Sequence, residues 1–214
     1  MKISLADLRK NYTQGGLTEE DISQNPFEQF RHWFEQALES QILEPNAMTL
    51  ATVNEAGKPT ARIVLLKNLD EKGFVFFTNY ESKKGKNIAV NPFGCLVFLW
   101  GELERQVRVE GKIEKITPEE SDQYFHSRPI GSQLGAHISP QSQIIPNREY
   151  LDNRLQEVTQ QYQNHTIPRP SHWGGYRLVP DAIEFWQGRE NRLHDRLEYR
   201  LNDNKQWQIV RLAP

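Results

Sequence analysis

Between Met48 and Trp100 four apolar runs are cut at short intervals by turn-forming clusters, and this rhythm limits the possible folds most sharply. The runs are Met48 to Val53, Thr60 to Lys67, Phe74 to Thr78 and Phe93 to Trp100. The breaks are Asn54-Glu-Ala-Gly-Lys-Pro59, Asn68 to Gly73, and Asn91-Pro92. Runs of this length bounded by Gly, Pro and Asn read as strands. Gln106 to Ile116 alternates Val107, Val109 and Ile113 against Gln106, Arg108, Glu110 and Lys112, the pattern of a half-exposed strand. The last quarter, from Trp173 to Arg211, holds three or four more. Strands outnumber helices, connections are short, and both ends contribute strands. A mainly β fold follows: a closed or nearly closed antiparallel β-barrel with flanking helices outside.

The helices announce themselves by their caps. Asn25 is an N-cap followed by Pro26, and Phe27, Phe30, Phe34, Ala37 and Leu38 recur down one face of a helix that should end before Pro45. Thr117-Pro-Glu-Glu120 is a capping box opening a helix through Tyr124, which Pro129 breaks. Asn147 to Gln163 carries the stripe Tyr150, Leu151, Leu155, Val158 and Tyr162, and prolines 168 and 170 make 165–171 an extended loop. Residues 1–24 are polar and contain Gly15-Gly16, so they read as a mobile N-terminal arm, leaving 25–214 as a single domain.

Composition removes several functional classes. The 26 basic and 28 acidic side chains leave a net charge of −2, which excludes a nucleic-acid binder driven by bulk charge. Any anion site must be a local cluster. Cys95 is the only cysteine, so neither an intramolecular disulfide nor a thiolate metal cage can form, and no His spacing suits a metal. There is no G-x-S-x-G elbow, P-loop or Rossmann glycine fingerprint. No apolar run reaches membrane-spanning length and none suits a signal peptide, so a cytoplasmic location is expected.

Four clusters could carry chemistry. Ser82-Lys83-Lys84-Gly-Lys86 leads into a short helical stretch, where cations oppose the helix dipole unless a phosphate docks among them; a solvated basic turn is the alternative. Arg62 and Lys67 flank an apolar strand and, five residues apart, face opposite sides of it. Tyr124, Arg128 and Ser132 supply a phenol, a guanidinium and a hydroxyl for a second phosphate, or simply an Arg stacked on a Tyr. If residues 192–199 form a strand, Arg192, His194 and Arg196 share one face, and such cations repel unless an anion or carboxylates sit between them. A solvated face with Asp195 and Glu190 as counter-ions is the competing interpretation.

Ile183, Glu184, Trp186, Arg192, Leu193, His194, Asp195 and Arg196 fill, position by position, a pattern that resembles the C-terminal signature of the pyridoxamine 5'-phosphate oxidases. The resemblance runs from about Arg9 to the terminal R-L-A-P. It implies the FMN-binding split β-barrel and a homodimer with FMN at the subunit interface. It also implies oxidation of pyridoxamine 5'-phosphate and pyridoxine 5'-phosphate by molecular oxygen to pyridoxal 5'-phosphate, releasing hydrogen peroxide and, from the amine, ammonia.

By the same resemblance FMN is held by Arg62, Ile63, Val64, Leu65, Leu66 and Lys67, by Phe77 and Thr78, and by Lys83 and Lys84. Gln106, Gln141, Ser142, Trp186 and Arg196 complete that set. The substrate falls to Lys67, Tyr124, Arg128, Ser132, Arg192, Leu193 and His194, with Arg9, Lys10, Asn11 and Tyr12 folding over it. Arg192 and His194 are then the catalytic pair nearest the reacting carbon. Lys83 stands where the family more often has Arg, keeping the charge but losing the bidentate fork. Two rivals remain: a split-barrel flavoenzyme with another substrate, such as a phenazine-pathway oxidase, and a flavin- or pyridoxal-phosphate-binding carrier without turnover.

Overall fold

A computed structural model describes residues 12, 13, 15–163 and 165–214. Among them are five helices: α1 (Pro26–Glu39), α2 (Lys83–Val90), α3 (Pro118–Ser127), α4 (Ile130–Ile138) and α5 (Arg148–Gln161). The strands are β1 (Ala47–Val53), β2 (Pro59–Leu65), β3 (Asn68–Asp70), β4 (Gly73–Asn79), β5 (Phe93–Trp100), β6 (Arg105–Lys115), β7 (Trp173–Gln187), β8 (Asp195–Leu201) and β9 (Trp207–Arg211). Their order in the sheet is β2-β1-β5-β6-β7-β4-β3, with β8 pairing β7 and β9 pairing β8. The β3–β4, β4–β7, β7–β8 and β8–β9 ladders are antiparallel. The five strands expected between Met48 and Ile116 are present with ends within two residues of the sequence boundaries.

The chain divides into two compact units. The first comprises Met1–Thr49, Cys95–Glu110 and Pro180–Pro214. Asn25 accepts from the Phe27 amide and Pro26 follows, so α1 starts where its cap chemistry dictates. Its buried face is Phe27, Phe30, Trp33 and Ala37, whereas Leu38 is 53% exposed. Phe27, Phe30 and Ala37 are buried as expected, but Trp33 rather than Phe34 takes the inward place between them, and Leu38 turns to solvent. Trp33 meets Phe185 edge-on at 5.2 Å, Phe30 meets Phe98 at 4.9 Å, and Phe185 meets Tyr199 at 5.5 Å. Each such ring contributes ~1.5–3 kcal/mol of burial, with ~0.5–1.5 kcal/mol more per favourable pair.

The segment expected to be a mobile arm is anchored in its second half. Leu17 and Ile22 are buried, the Leu17 amide donates to Asp195 at 3.0 Å, and the Tyr199 hydroxyl donates to the Ser23 carbonyl at 2.6 Å. Polar composition concealed this because two apolar side chains and a few backbone groups suffice to pin an otherwise hydrophilic strand of chain.

The second unit comprises Leu50–Gly94 and Gly111–Val179. In β4 every residue but Phe77 is buried, and β4 pairs β7 from Phe74↔Leu178 to Asn79↔Trp173. The capping box at Thr117 is complete: its hydroxyl accepts from the Glu120 amide, and Glu120 accepts from the Thr117 amide. Pro129 ends that helix as expected but also opens α4, a helix not expected from the sequence. Phe125, Leu134, Ala136, Val158, Ile167 and Trp173 form the core between α3, α4, α5 and the start of β7. Asn68–Asp70, expected as a break, pairs with β4 as a three-residue strand. Among the described residues no helix is long and apolar enough to cross a membrane.

Candidate functional site

In the second unit, Ile63, Val64, Leu65 and Lys67, then Phe77, Thr78 and Lys84, then Tyr124, Arg128, Ser132 and Gln141 all line one cavity of about 520 Å³. Asn79, Pro129 and Trp173 complete its wall. Strand β2 and the residues after it form one side, the end of β4 the floor, and the α3–α4 corner the other side. That volume lies in the range of small-molecule and cofactor sites.

Lys84 is the cavity's buried cation. Ser82 caps α2 by accepting from the Gly85 amide and donates to the Asn79 carbonyl at 2.7 Å, so its hydroxyl is spent inside the turn. Within this cluster it is therefore the lysines, not the Ser82 hydroxyl, that are left to meet an anion. The helix begins at Lys83, and its first turn points Lys84 inward and Lys83 outward. A Cβ at Gly85 would collide with the Tyr80 carbonyl, so this tight approach requires glycine. Lys84 Nζ donates to Gln141 Oε1 at 2.9 Å and Thr78 Oγ1 at 3.1 Å, both neutral oxygens. Burial and the nearby Arg62 charge pull its pKa down to about 8. A buried ammonium facing neutral acceptors in a cavity suits an anion.

Arg62 lies on the half-buried face of β2, its guanidinium donating to the Leu50 carbonyl at 3.0 Å, Thr52 Oγ1 at 2.8 Å and Thr60 Oγ1 at 2.6 Å. Asn87 of α2 donates to the same two threonines. Arg62 thus adds positive potential behind Lys84 without lining the cavity, and Leu66, Lys83 and Ser142 do not line it either. Ser142, beside Gln141, has φ +71°, a left-handed conformation uncommon outside glycine.

On the other side, Arg128 leaves the end of α3 in an extended conformation. Tyr124 lies within α3 whereas Arg128 lies just beyond it, because Pro129 disfavours helical geometry at Arg128. Tyr124 and Arg128 nonetheless reach the same cavity with Ser132. Arg128 Nη1 is buried without an acceptor, and burial lowers the guanidinium pKa. An unpaired buried donor on a cation, beside a phenol and a hydroxyl, fits a phosphate oxygen. Tyr124 stacks on Phe77 with centroids 3.8 Å apart. Trp173, which no motif singled out, backs the Arg128 guanidinium at 4.5 Å.

The first unit holds the C-terminal cluster. The expected strand from Arg192 is corrected: Glu190–Arg192 is a 3-10 turn, Leu193 and His194 are irregular, and β8 starts at Asp195. Asn191 and Arg192 have φ +56° and +61°, so strict alternation cannot set their facing. Arg192 is exposed, and Leu193 is 69% exposed. His194 packs against Trp186 at 4.6 Å, and Tyr12 meets both rings edge-on at 5.7 and 5.4 Å. The Arg189 amide donates to His194 Nδ1 at 3.1 Å, which leaves Nε2 to carry the proton of the neutral ring. Gln106 sits half-buried on β6.

Arg196 is paired with a carboxylate. It donates to both oxygens of buried Glu184, at 2.9 and 3.0 Å, and to the Ala213 carbonyl at 2.8 Å. Arg108 donates to the same carboxylate at 2.9 Å. The carboxylate of this cluster is therefore Glu184, while Asp195 serves Arg211 at 2.8 Å. Arg9, Lys10 and Asn11 lie outside the described residues. Among the described residues no group of His, Cys, Asp and Glu could hold a metal ion.

Fold and cavity define a mainly antiparallel β protein, with flanking helices, that presents two cationic sites suited to phosphate. Residues 34–162 match the family model "Pyridoxamine 5'-phosphate oxidase", and 173–214 match "Pyridoxine 5'-phosphate oxidase C-terminal dimerisation region". The chain is 60% identical over 214 residues, all of both chains, to the pyridoxine/pyridoxamine 5'-phosphate oxidase of Gloeothece citriformis. It is 60% identical over 212 residues, 99% of each chain, to that of Paraburkholderia phytofirmans. Among solved structures it resembles PhzG from Burkholderia lata, in complex with tetrahydrophenazine-1-carboxylic acid, with TM-score 0.87 and 27% identity over 94% of this chain and 99% of that one. An FMN-binding protein of Nostoc punctiforme related to pyridoxamine 5'-phosphate oxidase shares the fold, with TM-score 0.70 and 17% identity over 86% and 97%. The chain belongs to the pyridoxamine 5'-phosphate oxidase family, and its fold is that family's split β-barrel.

Proposed function

We propose that this protein is an FMN-dependent oxidase that converts pyridoxamine 5'-phosphate and pyridoxine 5'-phosphate to pyridoxal 5'-phosphate with molecular oxygen. The observation that carries the proposal is the pairing, in one cavity, of buried Lys84 against neutral oxygens and Arg128 with an orphaned Nη1. Two phosphorylated ligands, cofactor and substrate, account for both. The residues present fit FMN: Lys84 would take its phosphate, supported by Arg62, with Ile63, Val64, Leu65, Thr78 and Gln141 along it. Lys67, Tyr124, Arg128 and Ser132 would hold the substrate's 5'-phosphate. Gln106, Trp186 and Arg196 are assigned to the flavin, and Arg192, Leu193 and His194 to the substrate, by resemblance. A homodimer with FMN between subunits and a cytoplasmic location belong to the same proposal.

Bound FMN would supply the electron sink, accepting hydride from the substrate's C4' carbon and passing electrons to oxygen to give hydrogen peroxide. The chain supplies position and charge. Arg192 orients the substrate, and His194 offers its Nε2 proton to a ring substituent because Nδ1 is occupied by the Arg189 amide. Loss of hydride from C4' together with a proton from its nitrogen turns the amine into an imine, which water hydrolyses to aldehyde and ammonia; loss of hydride together with the hydroxyl proton turns the alcohol directly into the aldehyde. The PhzG likeness motivates one alternative, a phenazine-type substrate. Peroxide release decides between them: the proposal expects it with pyridoxine 5'-phosphate, and release only with reduced phenazine carboxylates would replace it.

A further inference from the structure

Arg128 is held in place by an aromatic face. Its Cζ lies 4.5 Å from the Trp173 ring centroid and 5.8 Å from that of Phe125. Trp173 is itself immobilised: 7% exposed, near-parallel to Phe77 (5.5 Å, 15°) and to Tyr124 (6.2 Å, 6°), and edge-on to Phe125 at 5.4 Å. Its carbonyl accepts from Arg169 Nη1 at 2.6 Å, and Arg169 Nε donates to Asp122 of α3 at 2.6 Å. Trp173 is thereby tied to the helix whose end carries Arg128.

A guanidinium can be fixed in two ways. A carboxylate fixes it through its N–H donors and neutralises it. A ring face holds the cation by its quadrupole and leaves the in-plane donors unspent. Arg128 is fixed in the second way, and its buried Nη1 remains without an acceptor. The Nη1 donors are then available, in a set plane, to a phosphate oxygen.

We propose that Trp173 is the positioning residue of the anion site, orienting the Arg128 fork so that the cavity discriminates phosphorylated from unphosphorylated substrate. That the anion is the substrate's 5'-phosphate rests on the function proposed above; the Trp173–Arg128 relation to a phosphate does not.

The test uses FMN-loaded enzyme and the variants Trp173→Leu and Trp173→Phe. Inorganic phosphate binding is measured by calorimetry, and KM and kcat for pyridoxine 5'-phosphate and inhibition by pyridoxine are measured alongside. Trp173→Leu should weaken phosphate and raise KM about tenfold, while kcat and the inhibition constant of pyridoxine stay within about threefold. Trp173→Phe, which keeps a smaller ring face, should recover most of the loss. Should the leucine variant fail to fold, the phenylalanine variant carries the test, with phosphate weakened about threefold and pyridoxine inhibition unchanged. Equal losses for phosphate and pyridoxine, or no loss of phosphate, would overturn the positioning role. A wild-type enzyme that binds phosphate but does not oxidise pyridoxine 5'-phosphate would instead overturn the proposed function and leave this relation standing.

Discussion

Lys84 shows how little of a cation's role is written in its own neighbourhood of sequence. Lys83, Lys84 and Lys86 look equivalent along the chain, yet only Lys84 is buried, because the Ser82 cap fixes the phase of α2. The basic cluster was legible; the single inward member was not, since the residues that select it include Thr78 and, distant in sequence, Gln141. Its pKa of about 8 has two consequences. Unfolding restores an ordinary lysine, so at pH between about 8 and 10.5 the unfolded chain holds a proton that the folded chain has released. Stability of the flavin-free protein should therefore rise across that window, and Lys84→Met should remove the rise. A bound phosphate favours the charged form, so FMN affinity should fall as pH passes 8, measured by fluorescence titration from pH 7 to 9.5. A flat profile in the wild type would remove Lys84 from the phosphate site. Arg128→Ala should raise KM for pyridoxine 5'-phosphate strongly, on the order of tenfold or more, while the bound flavin's absorbance is retained. Loss of yellow colour instead would mean that the two phosphate sites are exchanged.

The strands and caps were readable because their signals are local: period-two alternation in β6, Asn25-Pro26 at α1, Thr117 and Glu120 at α3. Pro129 ends α3, but proline also suits a helix start, and α4 follows it directly without a capping signal of its own. Residues 190–194 carry alternating charge that imitates a strand, but consecutive left-handed residues at Asn191 and Arg192 turn the chain instead. Such conformations cost ~1–3 kcal/mol each and persist only where surrounding contacts hold them. Arg192→Gly should accordingly leave the melting temperature unchanged or higher while slowing flavin reduction ~10²-fold at saturating substrate. A variant that is destabilised yet turns over normally would return this turn to a purely structural role. Tyr12 rests against Gly188, where an added Cβ would come within 2.9 Å of its ring. Gly188→Ala should displace Tyr12 and so raise KM several-fold without loss of FMN, if Tyr12 closes over substrate as the resemblance implies; an unchanged KM would remove Tyr12 from the substrate site.

For the molecule as a whole, the density of strand signals led to a mainly β, closed or nearly closed antiparallel barrel, because such signals are repeated along the chain and do not depend on any one residue; the split form of that barrel came from the family resemblance. Assembly is different. Nothing in the spacing of residues encodes a partner, and the match of 173–214 to a C-terminal dimerisation region carries that point. Sedimentation equilibrium should give a dimer, and a monomer that still turns over would separate activity from assembly. The two clusters of candidate residues belong to different compact units of the chain, one holding Lys84 and Arg128 and the other Arg192 and His194. Both are needed for the proposed reaction, so its most direct test is one in which both must act. Purified protein should be yellow with a flavin spectrum, and pyridoxine 5'-phosphate added without oxygen should bleach it in a single turnover, with colour returning on admission of air. A yellow protein that stays oxidised with either 5'-phosphate substrate under these conditions would contradict the account.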